Sequence, residues 1–239
     1  MSIQKHLLLV ASLLFVLFVD LSYSQALPDL CHPLDKKVLL RIKAHLGNPS
    51  SLSSWDPTTD CARWNGVQVD GQGHVTYVQI HSLSFDHLPN LSGPIPSYIG
   101  KLTNLTELSI IETNMTGPIP PVLAHLTNLN LLYLYSNKFT GPIPAFLGRL
   151  KKLVNLDLSS NLLTGPIPAT LAQLSNVQIL ELSSNQLFGP IPDFIEADSI
   201  DVSYNQLCGP IPNGRRYKHS MVLFAHNKCL CGGPFPGCK

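Results

Sequence analysis

Between Leu102 and Asn205 the apolar positions return at a fixed interval. Leu102, Leu105, Leu108 and Ile110 are followed at the same offsets by Leu126, Leu129, Leu132 and Leu134. Next come Leu150, Leu153, Leu156 and Leu158, then Leu174, Val177, Leu180 and Leu182, and a shortened unit ends in Ile200 and Val202. Gly-Pro-Ile-Pro recurs in step, at 93–96, 117–120, 141–144, 165–168, 189–192 and 209–212. The first five copies are 24 residues apart and the last interval is 20. A period of this length belongs to stacked repeats, in which each unit buries its apolar face only against its neighbours. Alternation at the end of each apolar set predicts a short strand with those side chains inward. Stacked copies then predict one parallel sheet, with the Gly-Pro-Ile-Pro segments turning the chain onto the opposite side. There the isoleucine buries while the prolines fix φ and remove donors that would need partners.

Three residues after the last apolar position stand Asn137, Asn161, Asn185 and Asn205, with Thr113 in the first unit. A buried Asn at the turn leaving a strand can satisfy backbone groups of adjoining coils. Thr113 has a hydroxyl but no amide, which predicts a weaker rung. The whole pattern, L-x-x-L-x-L-x-x-N, resembles the leucine-rich repeat. The fold class expected is an α/β leucine-rich repeat solenoid, a curved right-handed superhelix. It would have a concave parallel β-sheet, a 3-10 helical convex side, and disulfide-bonded N- and C-terminal caps. Before residue 100 the register degrades. Val75, Val78 and Ile80 read as one strand and Leu83 with Phe85 as another, leaving open one irregular repeat or two compressed ones in 75–99.

Residues 25–74 read as a non-repeating cap. Pro33–Leu46 has helix periodicity, with Leu34, Val38, Leu39, Ile42 and Leu46 on one face, and Gly47-Asn48-Pro49 stops it. Trp55 and Trp64 are expected to pack the cap onto the first repeat. The domain reading is thus a signal peptide over 1–24, the cap over 25–74, repeats over 75–205 and a cysteine-containing cap over 206–239. The leader is inferred from Lys5 and His6, an apolar run from Leu7 to Val19, and small residues at Ser22, Ser24 and Ala26. That run is shorter than the roughly 20 apolar residues a membrane span needs. Secretion to the extracellular space follows, with no membrane span.

Composition narrows the function classes. Charged residues make up only 13% and the net charge is +1, so a nucleic-acid partner is not expected. Six cysteines in a secreted chain argue for disulfides. Cys31–Cys61 is the local choice at the front. Cys208, Cys229, Cys231 and Cys238 allow three connectivities, of which 208–229 with 231–238 is expected. The one-residue spacing of Cys229-Leu-Cys231 is too tight for a zinc site, so neither a metal nor a cofactor is expected. Sequons at Asn90, Asn104 and Asn114 are candidate glycan sites.

The polar strand positions supply the candidate binding face: Glu107, Ser109 and Glu112, Tyr133 and Tyr135, Asp157, Glu181 and Asp201. The central column reads Ser109, Tyr133, Asp157, Glu181, Asp201. Three acids on adjacent strands repel one another, and a cationic partner would justify the arrangement. Asp157 and Glu181 have the spacing of a retaining glycosidase pair, but an open sheet offers no cleft to exclude water, and no enzyme is expected. Arg149, Lys151 and Lys152, and separately Arg215, Arg216 and Lys218, are candidate contacts for an acidic polymer.

Two stretches narrow the resemblance. The cap from Asp35-Lys-Lys-Val-Leu-Leu-Arg-Ile-Lys43 through Trp55 and Cys61 to Trp64-Asn-Gly-Val67 resembles the plant extracellular repeat cap. Val202-Ser-Tyr-Asn-Gln-Leu-Cys-Gly-Pro-Ile-Pro212 and His226-Asn-Lys-Cys-Leu-Cys-Gly-Gly-Pro-Phe-Pro-Gly-Cys238 resemble the C-terminal cap of plant polygalacturonase-inhibiting proteins. The resemblance implies a monomeric wall defence protein that binds and inhibits fungal or other microbial endopolygalacturonase. Its basic pectin-holding cleft would dock over the acidic column and the two tyrosines, and the two basic clusters would touch acidic pectin in the plant cell wall. The chain departs from that family in carrying Ala62 and Val69 where a second cysteine pair is usual, and in having fewer repeats. Two alternatives are a receptor-like soluble ectodomain that binds a peptide or receptor, and an ice-binding scaffold. The second would need a more regular polar array than the convex positions offer.

Overall fold

The computed structural model describes residues 30–82, 91–192, 197–212, 222–232 and 236–238. The leader, Leu83 and Phe85, Asn90, and the cluster Arg215, Arg216 and Lys218 lie outside the described residues.

The cap opens with helix α1, Pro33–His45. Proline at its start needs no amide partner, Asp35 lies in the first turn, and Lys43 and His45 in the last, so charge complements the helix dipole. Its buried face is Asp35, Val38, Leu39 and Ile42. Leu34, expected on that face, is 66% exposed. The face is rotated by one residue because Asp35 turns inward, where its carboxylate accepts the Val75 amide at 2.9 Å. Trp55 and Trp64 are buried and stacked, with centroids 5.8 Å apart. Each indole N–H finds a partner, Asn65 O for Trp55 and Thr59 Oγ1 for Trp64, so both serve the cap's core.

The solenoid carries two sheets where one was expected. The larger is formed by β1 (Val67–Val69), β2 (Val75–His81), β4 (Glu107–Ile111), β6 (Leu131–Tyr133), β8 (Asn155–Asp157), β10 (Ile179–Glu181) and β12 (Ser199–Asp201), in that spatial order. It is parallel except for the β1–β2 hairpin. The second sheet is formed by β3 (Ser92–Gly93), β5 (Asn114–Gly117), β7 (Lys138–Pro142), β9 (Leu162–Gly165), β11 (Gln186–Gly189), β13 (Gln206–Pro210) and β14 (Cys229–Cys231), with β7 to β13 each following a ladder Asn. Short 3-10 turns, such as Pro121–His125 and Ala145–Arg149, close each coil on the other side. The inward leucine-type positions from Leu102 to Val202 are at most 2% exposed. Because β2 pairs directly with β4 and β3 with β5, the described residues of 75–99 supply one strand to each sheet, as a single irregular coil does.

The asparagines join the two sheets. Asn161 Nδ2 donates to Leu134 O of the preceding coil at 2.9 Å and to Leu158 O and Ser159 O of its own. Its Oδ1 accepts the Phe139 amide at 3.0 Å. Asn185 and Asn205 repeat the pattern. The ladder also runs past residue 205, since Asn227 donates to Val202 O and accepts from Leu207 N, both at 3.0 Å. Residues 222–231 are therefore a further coil. At the other end Thr113 donates to Asn137 Oδ1 instead of bracing a preceding coil, and the Met115 amide reaches that oxygen at 3.3 Å.

Two backbone requirements repeat with the coil. The glycine of every Gly-Pro-Ile-Pro has positive φ, from 77° to 113°, a region that costs glycine nothing. The residue before each ladder position, Glu112, Ser136, Ser160, Ser184, Tyr204 and His226, also sits at φ 52–55°. Glu112 is therefore a turn residue and not the strand residue expected. Disulfides join Cys31 to Cys61, Cys208 to Cys229 and Cys231 to Cys238.

Candidate functional site

The larger sheet brings the expected column into register. Ser109 pairs with Tyr133, Tyr133 with Asp157, Asp157 with Glu181, and Glu181 with Asp201. The row extends to Gln79, opposite Ser109, a position the sequence reading missed because 75–99 lacks the 24-residue register. A parallel column runs Tyr77, Glu107, Leu131, Asn155, Ile179, Ser199. Strand spacing sets neighbours in each column about 4.8 Å apart at the backbone.

Ser109 is 3% exposed. Its short side chain lies between longer residues on both flanking strands, Gln79 and Tyr133, so it supports the face and offers no contact. The remaining members are accessible to different degrees. Glu112 is exposed, while Glu107, Tyr133, Tyr135, Asp157, Glu181 and Asp201 are half-buried. Tyr133 Oη accepts from Asn155 Nδ2 at 3.1 Å, which ties the two columns together.

Half-burial of like charges has electrostatic consequences. The Glu181 carboxyl is pushed up from 4.5 to about 7, first by desolvation and then by Asp201 and Asp157. Asp157 is also raised, mainly by burial, with Asp201 adding to it, although its oxygen accepts from Ser159 N (2.9 Å) and Ser159 Oγ (2.6 Å). Asp201 accepts from Ser203 N at 2.8 Å. Burial raises Glu107 too. The Tyr135 hydroxyl is raised by burial, then by Glu112, Asp157 and Tyr133. These carboxylates hold their charge against a desolvation penalty, and a nearby cation would relieve it.

Two other predicted groups fall elsewhere. Lys151 Nζ donates to Gly148 O and Gln173 O, and Lys152 Nζ to Asn128 Oδ1. Both ammonium groups staple adjacent coils, away from the strand face. Asn104 and Asn114 are half-buried, with Asn114 beginning β5. Among the described residues no helix is long and apolar enough to cross a membrane.

Comparison with known proteins agrees with this architecture. Residues 32–68 match the leucine rich repeat N-terminal domain, and 128–150 and 143–187 match leucine rich repeat families. Polygalacturonase inhibitor 1 of Phaseolus vulgaris is 44% identical over 102 residues, 42% of this chain and 30% of the relative. The leucine-rich repeat protein FLOR 1 of Arabidopsis thaliana is 38% identical over 133 residues, 48% of this chain and 39% of the relative. The chain thus spans between a quarter and half the length of the curated relatives it matches. Among solved structures, a pollen receptor kinase 3 superposes with a TM-score of 0.71 at 29% identity, covering 84% of this chain and 99% of that one.

Proposed function

We propose that this leucine-rich repeat protein, a relative of the plant polygalacturonase inhibitors, binds a microbial endopolygalacturonase through its strand face and blocks it. In this reading the protein is secreted to the plant cell wall and acts there as a monomeric defence protein, by reversible binding and without catalysis. The observation that carries the proposal is the register of Asp157, Glu181 and Asp201 on three adjacent strands, next to Tyr133 and Tyr135. An enzyme that grips a polyanion carries a basic cleft. Half-buried carboxylates with no ion-pair partner among the described residues complement such a surface. The tyrosines would add contact area at little entropic cost, and the charges would steer encounter. Because Glu181 titrates near neutral pH, a cationic partner would draw it into the charged form, and binding should release a proton.

The test is inhibition of a panel of fungal endopolygalacturonases by the wild type and by a variant with Asp157→Asn, Glu181→Gln and Asp201→Asn. The proposal expects inhibition by the wild type and its loss in the variant. Equal inhibition by both would move the contact surface off the acidic column. A folded wild type that inhibits nothing would favour the second reading, a receptor-like module that binds a peptide or receptor. That reading draws on the near-complete coverage of a receptor kinase structure.

A further inference from the structure

We propose that His32, Asp35 and His74 form a site for one imidazole-selecting divalent transition-metal ion, zinc or copper in kind, at the N-terminal cap. One ligand atom from each of the three residues lies within 4.8 Å of the others. Asp35 Oδ2 is 3.4 Å from His74 Nδ1. Two ligands held by a tetrahedral ion at about 2.1 Å would sit about 3.4 Å apart. The imidazoles of His32 and His74 stack with centroids 4.4 Å apart. An independent observation points the same way: His32 Nδ1 is buried and has no hydrogen-bond partner. A buried lone pair or N–H left unpaired is a cost that folded proteins avoid, and a metal would remove it.

The backbone at the three residues is anchored at separate points. His32 follows Cys31, which is bonded to Cys61, and its amide donates to Gly73 O at 2.7 Å. The His74 amide donates to Asp70 Oδ1 at 2.9 Å. The Asp35 oxygen nearest His74 accepts the Val75 amide, an outer contact of the kind that orients metal-binding carboxylates. The backbone therefore holds the three residues close before an ion arrives, and the stacked rings would turn to aim one nitrogen each at it. A cavity of about 480 Å³ is lined by all three, which gives an entry path and room for a further ligand. Lys37, Arg41 and Lys101 line the same cavity. Their charge opposes every divalent cation alike, so selection rests on the donor set, in which two imidazoles favour zinc or copper over calcium and magnesium. The grouping of Cys31, Asp60 and Cys61 nearby is no rival, since the two sulfurs are spent on each other.

The experiment is titration of the metal-stripped, disulfide-intact full chain with zinc and copper by calorimetry, and with cobalt(II) by absorption. The expected result is saturable one-to-one zinc binding, a rise in Tm with zinc, and a cobalt spectrum of low-symmetry imidazole ligation. His32→Asn with His74→Gln leaves Asp35 and its Val75 bond in place. This variant should keep its metal-free Tm and bind zinc at least about tenfold more weakly. If the pair fails to fold, His32→Asn alone carries the same expectation. No saturable binding of either metal by the wild type overturns the proposal, as does undiminished binding in the folded variant. Displacement of zinc by equimolar calcium would also overturn it.

Discussion

Changing Glu181 to Gln isolates what the acid column does to stability. Desolvation first, then Asp201 and Asp157, lift the Glu181 carboxyl from 4.5 to about 7. An acid raised in the folded state binds more protons there than in the unfolded chain, so stability falls as pH rises through that window. Below about pH 4.5 both states are protonated and no penalty exists. Above about pH 7 both are ionised and the penalty is complete. At about 1.4 kcal/mol for each pH unit, the full rise would amount to about 3.4 kcal/mol. The side chain is only half-buried, and solvent screening reduces this to about 1–2 kcal/mol. Glu181→Gln keeps the shape and removes the charge. It should therefore match the wild type at pH 4.5 and exceed it by about 1–2 kcal/mol at pH 7.5. Guanidinium unfolding at pH 4.5, 6 and 7.5, at fixed ionic strength and with disulfides intact, measures both curves. Asp201→Asn should move the wild-type transition to lower pH, because it removes one of the charges that raise Glu181. A difference between Glu181→Gln and wild type that does not change with pH would refute the argument. So would a variant less stable than wild type at pH 7.5.

Other outcomes follow from the same geometry. Asn161→Ala removes an amide that braces two coils and leaves buried carbonyls at Leu134 and Leu158 short of a donor; it should cost about 3–5 kcal/mol in denaturant unfolding. Gly148→Ala would place a methyl group 2.1 Å from Thr170 O, so it should lose about 1–3 kcal/mol. Gly71→Ala, which meets nothing within 4 Å, should be close to neutral. If the strand face binds a cationic enzyme surface, affinity measured by surface plasmon resonance should rise between pH 5 and 7.5 as Glu181 ionises, and fall with added salt. An affinity independent of both would argue for an apolar interface.

The repeat makes much of this protein legible in its sequence. A 24-residue period assigns each leucine an inward place, and stacking then dictates that Asp157, Glu181 and Asp201 share a row. Adjacent-coil packing is nearly local information, because every coil sees only its neighbours. Even the missed final rung follows the rule, since Phe224 and Asn227 keep the spacing of Leu158 and Asn161. The second sheet was harder to foresee. Its strands are two to five residues long, and those from β7 to β13 are each positioned by the Asn Oδ1 of the next coil, as Phe139 is by Asn161.

Other features depended on groups brought together from far apart in the chain. Leu34 faces outward and Asp35 inward because a carboxylate could satisfy the Val75 amide 40 residues away. Ser109 is sealed by its neighbours although its strand position is a facing one. The raised Glu181 carboxyl depends on how much water the flanking side chains exclude, which no spacing encodes. His32, Asp35 and His74 meet only once the Cys31–Cys61 bridge and the β1–β2 hairpin set them against α1. Periodicity in the chain predicts direction and register, because these repeat with the backbone. Desolvation and side-chain convergence depend on distance in space, so only the folded molecule sets them.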